Sequence, residues 1–407
     1  MLTIQSARRR RAGGKLGVAL AGGGPLGAFY ELGVLHALGE ALVGRELTKF
    51  DVYVGVSSGS FLAASLANGI DTTSMGASFI YNEGPRVLPP ELFLQPALGD
   101  YTRRITRLPA ALAAAAGQYV RDPLGSGWQT LLGALAKIAP TAVFDNRPLE
   151  TYLHETYGSG GHTDDFRKLR ARLYVVATRL STGESVAFGE AGYDHVPISR
   201  AVVASAALPG LYPAVEIDGR HYVDGALIRT MHASLALEAG CDLVICVNPL
   251  VPFDATRAHG RNYKNLADEG LPAILGQTFR ALIHSRMQVG MTSYRARFPY
   301  ADTLLLEPDR GDETLFFTNV FRYAGRHRLV DHVYRQTRRD LLAQADVLAP
   351  LLRRHGLRLD THILRDRQRS FSTAARERAQ HARQACRRLD QALGRLERLV
   401  QPAIRGG

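Results

Sequence analysis

Residues 51–60 read DVYVGVSSGS and contain the G-x-S-x-G pattern Gly55-Val56-Ser57-Ser58-Gly59. The residues before Ser57 are mostly β-branched or aromatic, which predicts a buried strand, and residues 61–67 predict a helix. A serine at a sharp turn between a strand and a helix has its hydroxyl exposed at the edge of the sheet, and flanking glycines leave room for such a turn. The alternative is an ordinary strand-to-helix turn built from small residues. The catalytic interpretation of Ser57 therefore depends on whether the rest of the chain supplies partners for it.

The composition is that of a globular protein large enough for one or two domains, with 407 residues of which 46% are hydrophobic. The three cysteines (Cys241, Cys246 and Cys386) are too few for a disulfide scaffold. Neither a C-x-x-C pattern nor a cluster of histidine and cysteine suggests structural zinc. We therefore expect neither a metal nor a cofactor.

The positive charge of the chain is concentrated at its carboxyl-terminal end. The formal net charge is +12, and the segment from Arg353 onward contains fourteen arginines against five acidic residues, a net +9. Charge of this kind suits nucleic acid, an anionic membrane surface or a solvated tail. Nucleic acid is the least favoured of these partners, because aromatic residues are not interleaved with the arginines.

No stretch of about twenty mainly apolar residues predicts a transmembrane helix. The apolar residues that follow the arginines at 8–11 are too few for the core of a signal peptide, and residues 16–21 instead predict the first strand. We expect a cytoplasmic protein, with the inner membrane surface as a peripheral location if the basic tail binds lipid.

A glycine run, Gly22-Gly23-Gly24-Pro25-Leu26-Gly27, lies between that first strand and a helix predicted over 28–42. It matches the G-x-G-x-x-G of dinucleotide-binding proteins, which also need an acidic residue about twenty positions later, at the end of the next strand. Asp51 lies further along and begins its strand, so this interpretation is disfavoured. The other interpretation is an oxyanion hole, in which the amides of Gly22, Gly23 and Gly24 meet at a helix N-terminus that favours negative charge.

The remaining pattern alternates strands and helices. Continuous apolar strands are predicted at 173–178 and 243–247, with a return strand at 184–188 and helices at 198–206 and 233–239. Alternation of this kind predicts an α/β fold in which a mainly parallel sheet is covered by helices on both faces.

Asp224 is the candidate partner of Ser57. It ends a short strand-like run and is followed by Gly225, which permits a tight turn. A carboxylate beside a serine hydroxyl can accept its proton and act as a general base, although Asp-Gly is also a common turn dipeptide. The rival is a Ser-His-Asp triad that recruits a histidine after Asp224, namely His232, His259 or His284. Only two strands are predicted before Ser57, which is fewer than the α/β-hydrolase arrangement requires.

Four motifs in this order resemble those of the patatin-like phospholipases. They are the glycine run 22–27, the G-x-S-x-G at 55–59, Ala204-Ser205-Ala206-Ala207-Leu208-Pro209-Gly210-Leu211-Tyr212-Pro213, and Asp224-Gly225-Ala226. The resemblance covers roughly residues 15–250. It implies a three-layer α/β/α fold and a Ser–Asp dyad without histidine, in which Ser57 is the nucleophile and Asp224 the base. It also implies that Gly22, Gly23 and Gly24 form the oxyanion hole, with Gly27, Gly55, Gly59 and Gly225 supporting the motifs.

The resemblance implies a lipid acyl hydrolase of the phospholipase A or lysophospholipase type, which acts on lipid esters through an acyl-serine intermediate without metal. One position departs from the pattern: Leu26 stands where the family usually has arginine or lysine. The departure bears on headgroup preference and catalytic strength, because the hole itself consists of backbone. It also leaves open a non-catalytic lipid-binding or scaffold protein that keeps the fold.

The predicted organisation has four parts. Residues 1–14 form a basic arm, 15–250 the catalytic domain, 251–345 an extension packed on it, and 346–407 a basic helical tail. Within the catalytic domain, residues 85–140 form a helical insertion, either a lid over the site or an extra layer on the core. In the tail, apolar residues at heptad-like spacing over 375–400 suit a homodimeric coiled coil, a helix on anionic lipid, or a helix laid against its own domain.

Overall fold

The computed structural model describes residues 1–7, 14–84, 86–93, 95–97, 142–258, 266–317, 325–374 and 377. The strands are β1 Leu2–Gln5, β2 Lys15–Leu20, β3 Leu42–Val43, β4 Val52–Val56, β5 Arg172–Arg179, β6 Ser185–Phe188, β7 Val215–Ile217, β8 Arg220–Asp224, β9 Cys241–Val247, β10 Asp302–Leu306 and β11 Arg358–Leu359. The helices are α1 Gly24–Ala41, α2 Ser58–Ala67, α3 Thr72–Phe79, α4 Arg147–Tyr157, α5 Ile198–Ser205, α6 Ala233–Glu238, α7 Leu271–Arg297, α8 Glu313–Phe317, α9 Arg326–Ala343, α10 Ala345–Arg354 and α11 Thr361–Arg365.

The central sheet has nine strands within the described part of the chain. Its order is β1-β10-β9-β2-β4-β5-β8-β7, with β6 paired to β5 outside this path. The five strands from β10 to β5 are parallel, whereas β1, β6, β8 and β7 pair antiparallel with their neighbours at the margins. The prediction of an α/β fold with a mainly parallel sheet is confirmed.

Helices cover both faces of the sheet, because alternate residues of each strand point to opposite sides. On one face, strand residues such as Val18, Tyr53 and Val175 pack in the cluster that contains α1, α2, α5 and α9. On the other face, Ala19, Val54 and similar residues pack against α6 and α7. The predicted three-layer α/β/α architecture is therefore confirmed.

Helix α1 lies at the centre of the first layer. Most of its residues are buried, and it packs against α2, α3 and α9. A helix that is apolar on all sides is expected in the interior of a protein rather than on its surface. Its first residues are the glycine run, so the core itself fixes the position of the predicted oxyanion hole.

The expectation of a loose arm over residues 1–14 is wrong for its first part. Leu2–Gln5 form β1, which pairs antiparallel with β10, while residues 8–13 lie outside the described part. The alternation of Leu2 and Ile4 with polar neighbours is typical of an edge strand. The strand was not predicted because the arginines at 8–11 indicated a basic arm instead. The extension at 251–345 is also more than a layer on the surface, because β10 continues the sheet beside β9.

The tail over 346–407 differs from its prediction at its beginning. Helix α10 buries Leu348, Leu351 and Leu352, β11 pairs with β3, and Phe371 is buried beside His36 and Tyr334. The apolar spacing in α10 outweighs the arginine content, so this part belongs to the body. The apolar stripe at 375–400 lies outside the described residues except for Glu377, as does the insertion 85–140 except for 86–93 and 95–97. None of the described helices is long and apolar enough to span a bilayer.

Candidate active site

The loops that follow β2 and β4 meet at one edge of the sheet. These strands are parallel neighbours, so Gly22 to Gly24 and Ser57 come together where the strands end. Asp224 arrives from the antiparallel strand β8. The register places Val56 beside Val176 of β5 and Asp224 beside Ala177, so Asp224 stands at the same level as Ser57.

Ser57 occupies a strained turn. Its φ of 51° and ψ of −125° are unusual for a residue with a side chain, and such strain is common at functional sites. The amide of Ser57 donates to Ser205 Oγ at 2.8 Å, and Ser205 Oγ donates to the carbonyl of Val176 at 2.5 Å. On the other side, Ser60 Oγ donates to the Ser57 carbonyl at 2.5 Å. These bonds hold the backbone of Ser57 between β5, α2 and α5.

The glycines around the turn are required by close backbone approach. A Cβ atom at Gly55 would lie 2.3 Å from the Cα of Ser60, and one at Gly59 would lie 2.6 Å from the Ala21 carbonyl oxygen. A Cβ atom at Gly225 would lie 2.3 Å from the Val176 carbonyl oxygen. The two predicted site motifs thus pack tightly against the sheet, and any side chain at these positions would displace Ser57 or Asp224.

Asp224 accepts two hydrogen bonds. Ser57 Oγ donates to its Oδ2 atom at 2.6 Å, and the amide of Ala226 donates to its Oδ1 atom at 2.8 Å. The carboxyl is only 3% exposed. Burial raises the pKa of Asp224 to about 6, while the bonds from Ser57 and Ala226 oppose that rise. At neutral pH the carboxylate is therefore ionised, yet a stronger base than an exposed aspartate.

The glycine run divides into two roles. The Gly22 amide donates to the Thr230 carbonyl at 3.0 Å, so the prediction that Gly22 donates to an oxyanion is wrong. Gly22 is instead needed for space, since a Cβ atom there would lie 3.0 Å from the Cβ of Ser57. The amides of Gly23 and Gly24 lie at the start of α1, where backbone donors have no partner within the helix. These two amides remain available to bind negative charge.

Neither alternative arrangement is found among the described residues. No described histidine hydrogen-bonds to Ser57 or Asp224: His232 is buried elsewhere with its pKa lowered to about 4 by burial, and His284 lies 3.6 Å from Glu307. His259 lies outside the described part. For dinucleotide binding, Asp51 would have to be free, but it accepts bonds from Arg45 and from the Leu16 amide at the opposite end of its strand.

The Ser57 hydroxyl opens into a cleft of about 1680 Å³. Gly23 and Gly24 lie at its base beside Ser57, and the walls are mainly apolar. The apolar side chains come from α3, the 86–93 segment, α4, the 204–213 motif and α7; they include Phe79, Leu88, Phe93, Leu149, Leu208, Tyr212 and Ile283. Such a cleft suits long hydrocarbon chains.

Arg280 is one of the cations that line this cleft. The Arg280 guanidinium of α7 sits 4.5 Å from the ring centre of Phe316, and burial lowers its pKa. It makes no ion pair with any carboxylate in the described residues. Arg280 also borders a smaller adjoining cavity of about 80 Å³, together with Gly23 and Leu26. The side chain of Arg280 therefore stands near the position where Leu26 replaces the usual basic residue.

Two of these features were not assigned from the sequence. Ser205 lies within the third motif, and the signal for its role is that it is a single serine inside the apolar run 201–207, where a buried hydrogen bond is expected. Arg280 had no local signal, because its position depends on how α7 crosses the sheet. Within the described residues, no group of three histidine, cysteine or acidic side chains is placed to hold a metal ion.

Comparison with known proteins adds the family. The model of the patatin-like phospholipase family matches residues 18–237. Similar solved structures include VipD from Legionella pneumophila, with 16% identity, 63% of this chain and 55% of that chain covered, and a TM-score of 0.31. They also include the type III effector ExoU, with 18% identity, 95% of this chain and 65% of that chain covered, and a TM-score of 0.30.

A complex of SpcU with ExoU from Pseudomonas aeruginosa also matches, with 16% identity, 84% of this chain and 65% of that chain covered, and a TM-score of 0.26. The chain thus spans between 55% and 65% of the length of these proteins. The family model, by contrast, matches more than half of the 407 residues. The chain therefore belongs to the patatin-like phospholipase family.

Proposed function

We propose that this protein is a serine lipid acyl hydrolase that uses Ser57 and Asp224 as a catalytic dyad. One observation carries the proposal: Ser57 Oγ donates directly to Asp224 Oδ2 at 2.6 Å, at the base of an apolar cleft. Membership of the family supports lipid hydrolysis in general. The proposal goes beyond family membership in three respects: the Ser57–Asp224 dyad, the class of ester and the acyl-serine intermediate.

The first step forms an acyl-serine. Asp224 Oδ2 takes the proton of Ser57 Oγ as that oxygen bonds to the ester carbonyl carbon, and the carbonyl oxygen becomes negative. The amides of Gly23 and Gly24 stabilise this oxyanion, aided by the N-terminus of α1. The intermediate then collapses, the bond to the alcohol oxygen breaks, and the protonated Asp224 returns its proton to the leaving alcohol.

The second step releases the acid. A water molecule gives a proton to Asp224 as its oxygen attacks the acyl carbon, and the same two amides stabilise the second oxyanion. Ser57 Oγ leaves and recovers a proton from Asp224, so the enzyme is regenerated and one ester has become one acid and one alcohol. The raised pKa of Asp224 suits both directions of transfer, because it lies close to neutral pH.

The lining of the cleft supports a lipid substrate of the phospholipid or lysophospholipid class. The apolar walls provide contact for acyl chains, and Arg280 provides a positive charge for a phosphate. The proposed location is the cytoplasm, with reversible attachment to the inner membrane surface where such lipids are found.

The competing function is a lipid-binding or scaffold protein without catalysis. Leu26 is the feature that favours it, because the family usually has a cation at this position. Both functions predict lipid binding, so only turnover separates them.

The experiment measures fatty acid release from lysophospholipid micelles and phospholipid vesicles by wild type, Ser57→Ala and Ser65→Ala, with a chelator present. Ser65 is a matched control, since it is a buried serine of α2 whose hydroxyl bonds to the Phe61 carbonyl rather than to the site. Release by wild type and Ser65→Ala but not by Ser57→Ala would support the proposal. Wild type that binds lipid yet releases no acid would favour the scaffold, and release that requires calcium would contradict the metal-free route.

A further inference from the structure

Helix α7 has a buried face that is fully accounted for by packing. His284, Met287, Met291 and Tyr294 recur at helical spacing and are buried, and the two methionines and Tyr294 belong to the cluster on the second face of the sheet. A helix in this position ordinarily presents polar residues on its opposite side.

The opposite face of α7 also carries many apolar side chains. Six large hydrophobic side chains, each between 41% and 71% exposed, lie on it: Leu271, Ile274, Leu275, Phe279, Leu282 and Val289. At about 100° per residue all six fall within one face, directly opposite the buried one, along a length of about 27 Å. They are six of the fourteen exposed large hydrophobics in the described part of the chain. We call these six residues the outer stripe of α7.

The charges of α7 have a single sign. The helix contains Arg280, Arg286, Arg295 and Arg297 and no aspartate or glutamate among its 27 residues. Arg286 is exposed and lies within the angular range of the outer stripe. An exposed apolar stripe on a helix with only basic charge is the pattern of helices that lie in the surface of an anionic bilayer.

The outer stripe also borders the catalytic cleft. Phe279, Leu282 and Val289 line the cleft that contains Ser57, whereas Leu271, Ile274 and Leu275 lie beyond its lining. A bilayer in contact with the stripe would therefore bring lipid to the mouth of the cleft. The stripe is continuous from the outer surface to the cleft wall.

We propose that the outer stripe of α7 docks the protein on an anionic lipid bilayer and so presents lipid esters to the cleft. This inference rests on the proposed function for its purpose, but the docking itself does not require catalysis. The charge argues for lipid rather than a second copy of the chain. Two copies that met through the outer stripe would bring their two Arg286 side chains together without an acidic residue from either helix, and like charges across an interface oppose association.

The test is sedimentation with vesicles of phosphatidylcholine alone and of phosphatidylcholine mixed with phosphatidylglycerol. Ser57→Ala is the background, so that binding is measured without turnover. The test variant is Leu271→Gln/Ile274→Gln/Leu275→Gln, which leaves the cleft lining intact. Its control is Leu180→Gln/Val347→Gln, since these side chains are similarly exposed but lie outside α7 and outside the cleft.

We expect the background protein and the control to bind the anionic vesicles, and the triple variant to bind them at least about tenfold more weakly. Unchanged binding by the triple variant would overturn the inference and would point to the basic tail. Equal binding to both vesicle types would overturn its electrostatic part. A dimer in sedimentation velocity that the triple variant disperses, without vesicle binding, would assign the stripe to a second copy.

A second readout separates this inference from the proposed function. For this readout Ser57 is left intact. Wild type and the triple variant should then hydrolyse a soluble short-chain ester equally, whereas the triple variant should hydrolyse anionic vesicles more slowly. Vesicle binding by a protein that hydrolyses neither substrate would contradict the proposed function and leave the docking surface standing. Hydrolysis of vesicles unaffected by the triple variant would contradict the docking surface alone.

Discussion

Ser57 Oγ and Asp224 Oδ2 are joined by a hydrogen bond of 2.6 Å although 167 positions separate the two residues in the chain. The contact exists because β4 and β8 flank β5, and because the glycines at 55, 59 and 225 allow both turns to press against neighbouring backbone. A buried carboxylate with this single side-chain partner has consequences for pH dependence and stability as well as for catalysis.

The first prediction concerns the rate at low pH. Burial raises the pKa of Asp224 to about 6, and only the ionised form can accept the Ser57 proton. We expect kcat/KM to fall as pH decreases through about 6, with a slope near one decade per pH unit below it. The measurement is a pH profile on a soluble ester. A profile that stays flat down to pH 4 would exclude Asp224 as the base.

The second prediction concerns stability. The folded pKa of Asp224 is raised from 3.8 to about 6, so the folded state holds this proton more tightly than the unfolded state. This contribution stabilises the protein below about pH 4 and is lost as pH rises to about 6, a loss of about 3 kcal/mol. Asp224→Asn avoids the loss and should be more stable than wild type at pH 7, by up to that amount.

Urea unfolding at pH 4 and at pH 7 checks the stability prediction. The difference between Asp224→Asn and wild type should be larger at pH 7 and should shrink towards pH 4. A stability difference of the same size at both pH values would show that the pKa of Asp224 does not change on folding, contrary to the burial argument.

The third prediction assigns a positioning role to Ser205. Its hydroxyl accepts from the Ser57 amide and donates to the Val176 carbonyl, so Ser205→Ala would leave both buried groups unpaired. Loss of such partners costs about 1–3 kcal/mol, and the turn at Ser57 loses one of its supports. We expect kcat to fall by about one to two decades with a smaller change in KM.

Ser65→Ala provides the comparison for Ser205, because it removes a buried serine hydroxyl of similar size whose partner is the Phe61 carbonyl. Similar losses of stability in both variants, with a loss of kcat only in Ser205→Ala, are the expected pattern. Equal kcat in the two variants would reduce Ser205 to an ordinary core residue.

The fourth prediction concerns the headgroup. Arg280 lies in the cleft without a carboxylate partner in the described residues, beside the small cavity that Leu26 borders. Arg280→Gln should raise KM for a phosphate-bearing ester by about 10- to 100-fold, as expected for a charged hydrogen bond, and leave a neutral ester nearly unaffected. Adding Leu26→Arg should restore part of the loss. Equal effects on both esters would assign Arg280 to structure rather than to recognition.

The fold was largely predictable because its strands are continuous apolar runs and its turns contain glycine. The segments 52–56 and 173–178 needed no distant information, since buried parallel strands have this composition. The motif at 55–59 located the Ser57 turn for the same reason. The neighbours of Asp224 do not identify it alone, because Asp-Gly is common in turns; the order of the motifs and the family resemblance indicate its role.

The parts that could not be predicted depend on contacts between distant residues. The sequence predicts that the Gly22 amide binds the oxyanion, but this amide donates its hydrogen bond to the Thr230 carbonyl. No residue near Gly22 in the sequence indicates this partner. The bonds of Ser205 likewise depend on how α5 packs against β5. Around residue 350 the arginine content concealed an apolar spacing, so residues 346–374 were assigned to a tail although their apolar side chains pack into the body.

The most direct test of the central claim is intact-protein mass after treatment with a lipid-like fluorophosphonate, for wild type, Ser57→Ala and Asp224→Asn. The dyad predicts one adduct on wild type, none on Ser57→Ala, and a rate lower by about two to four decades for Asp224→Asn, the usual contribution of a general base. An adduct that persists in Ser57→Ala, or labelling of Asp224→Asn at the rate of wild type, would contradict the claim that Ser57 and Asp224 form the catalytic pair.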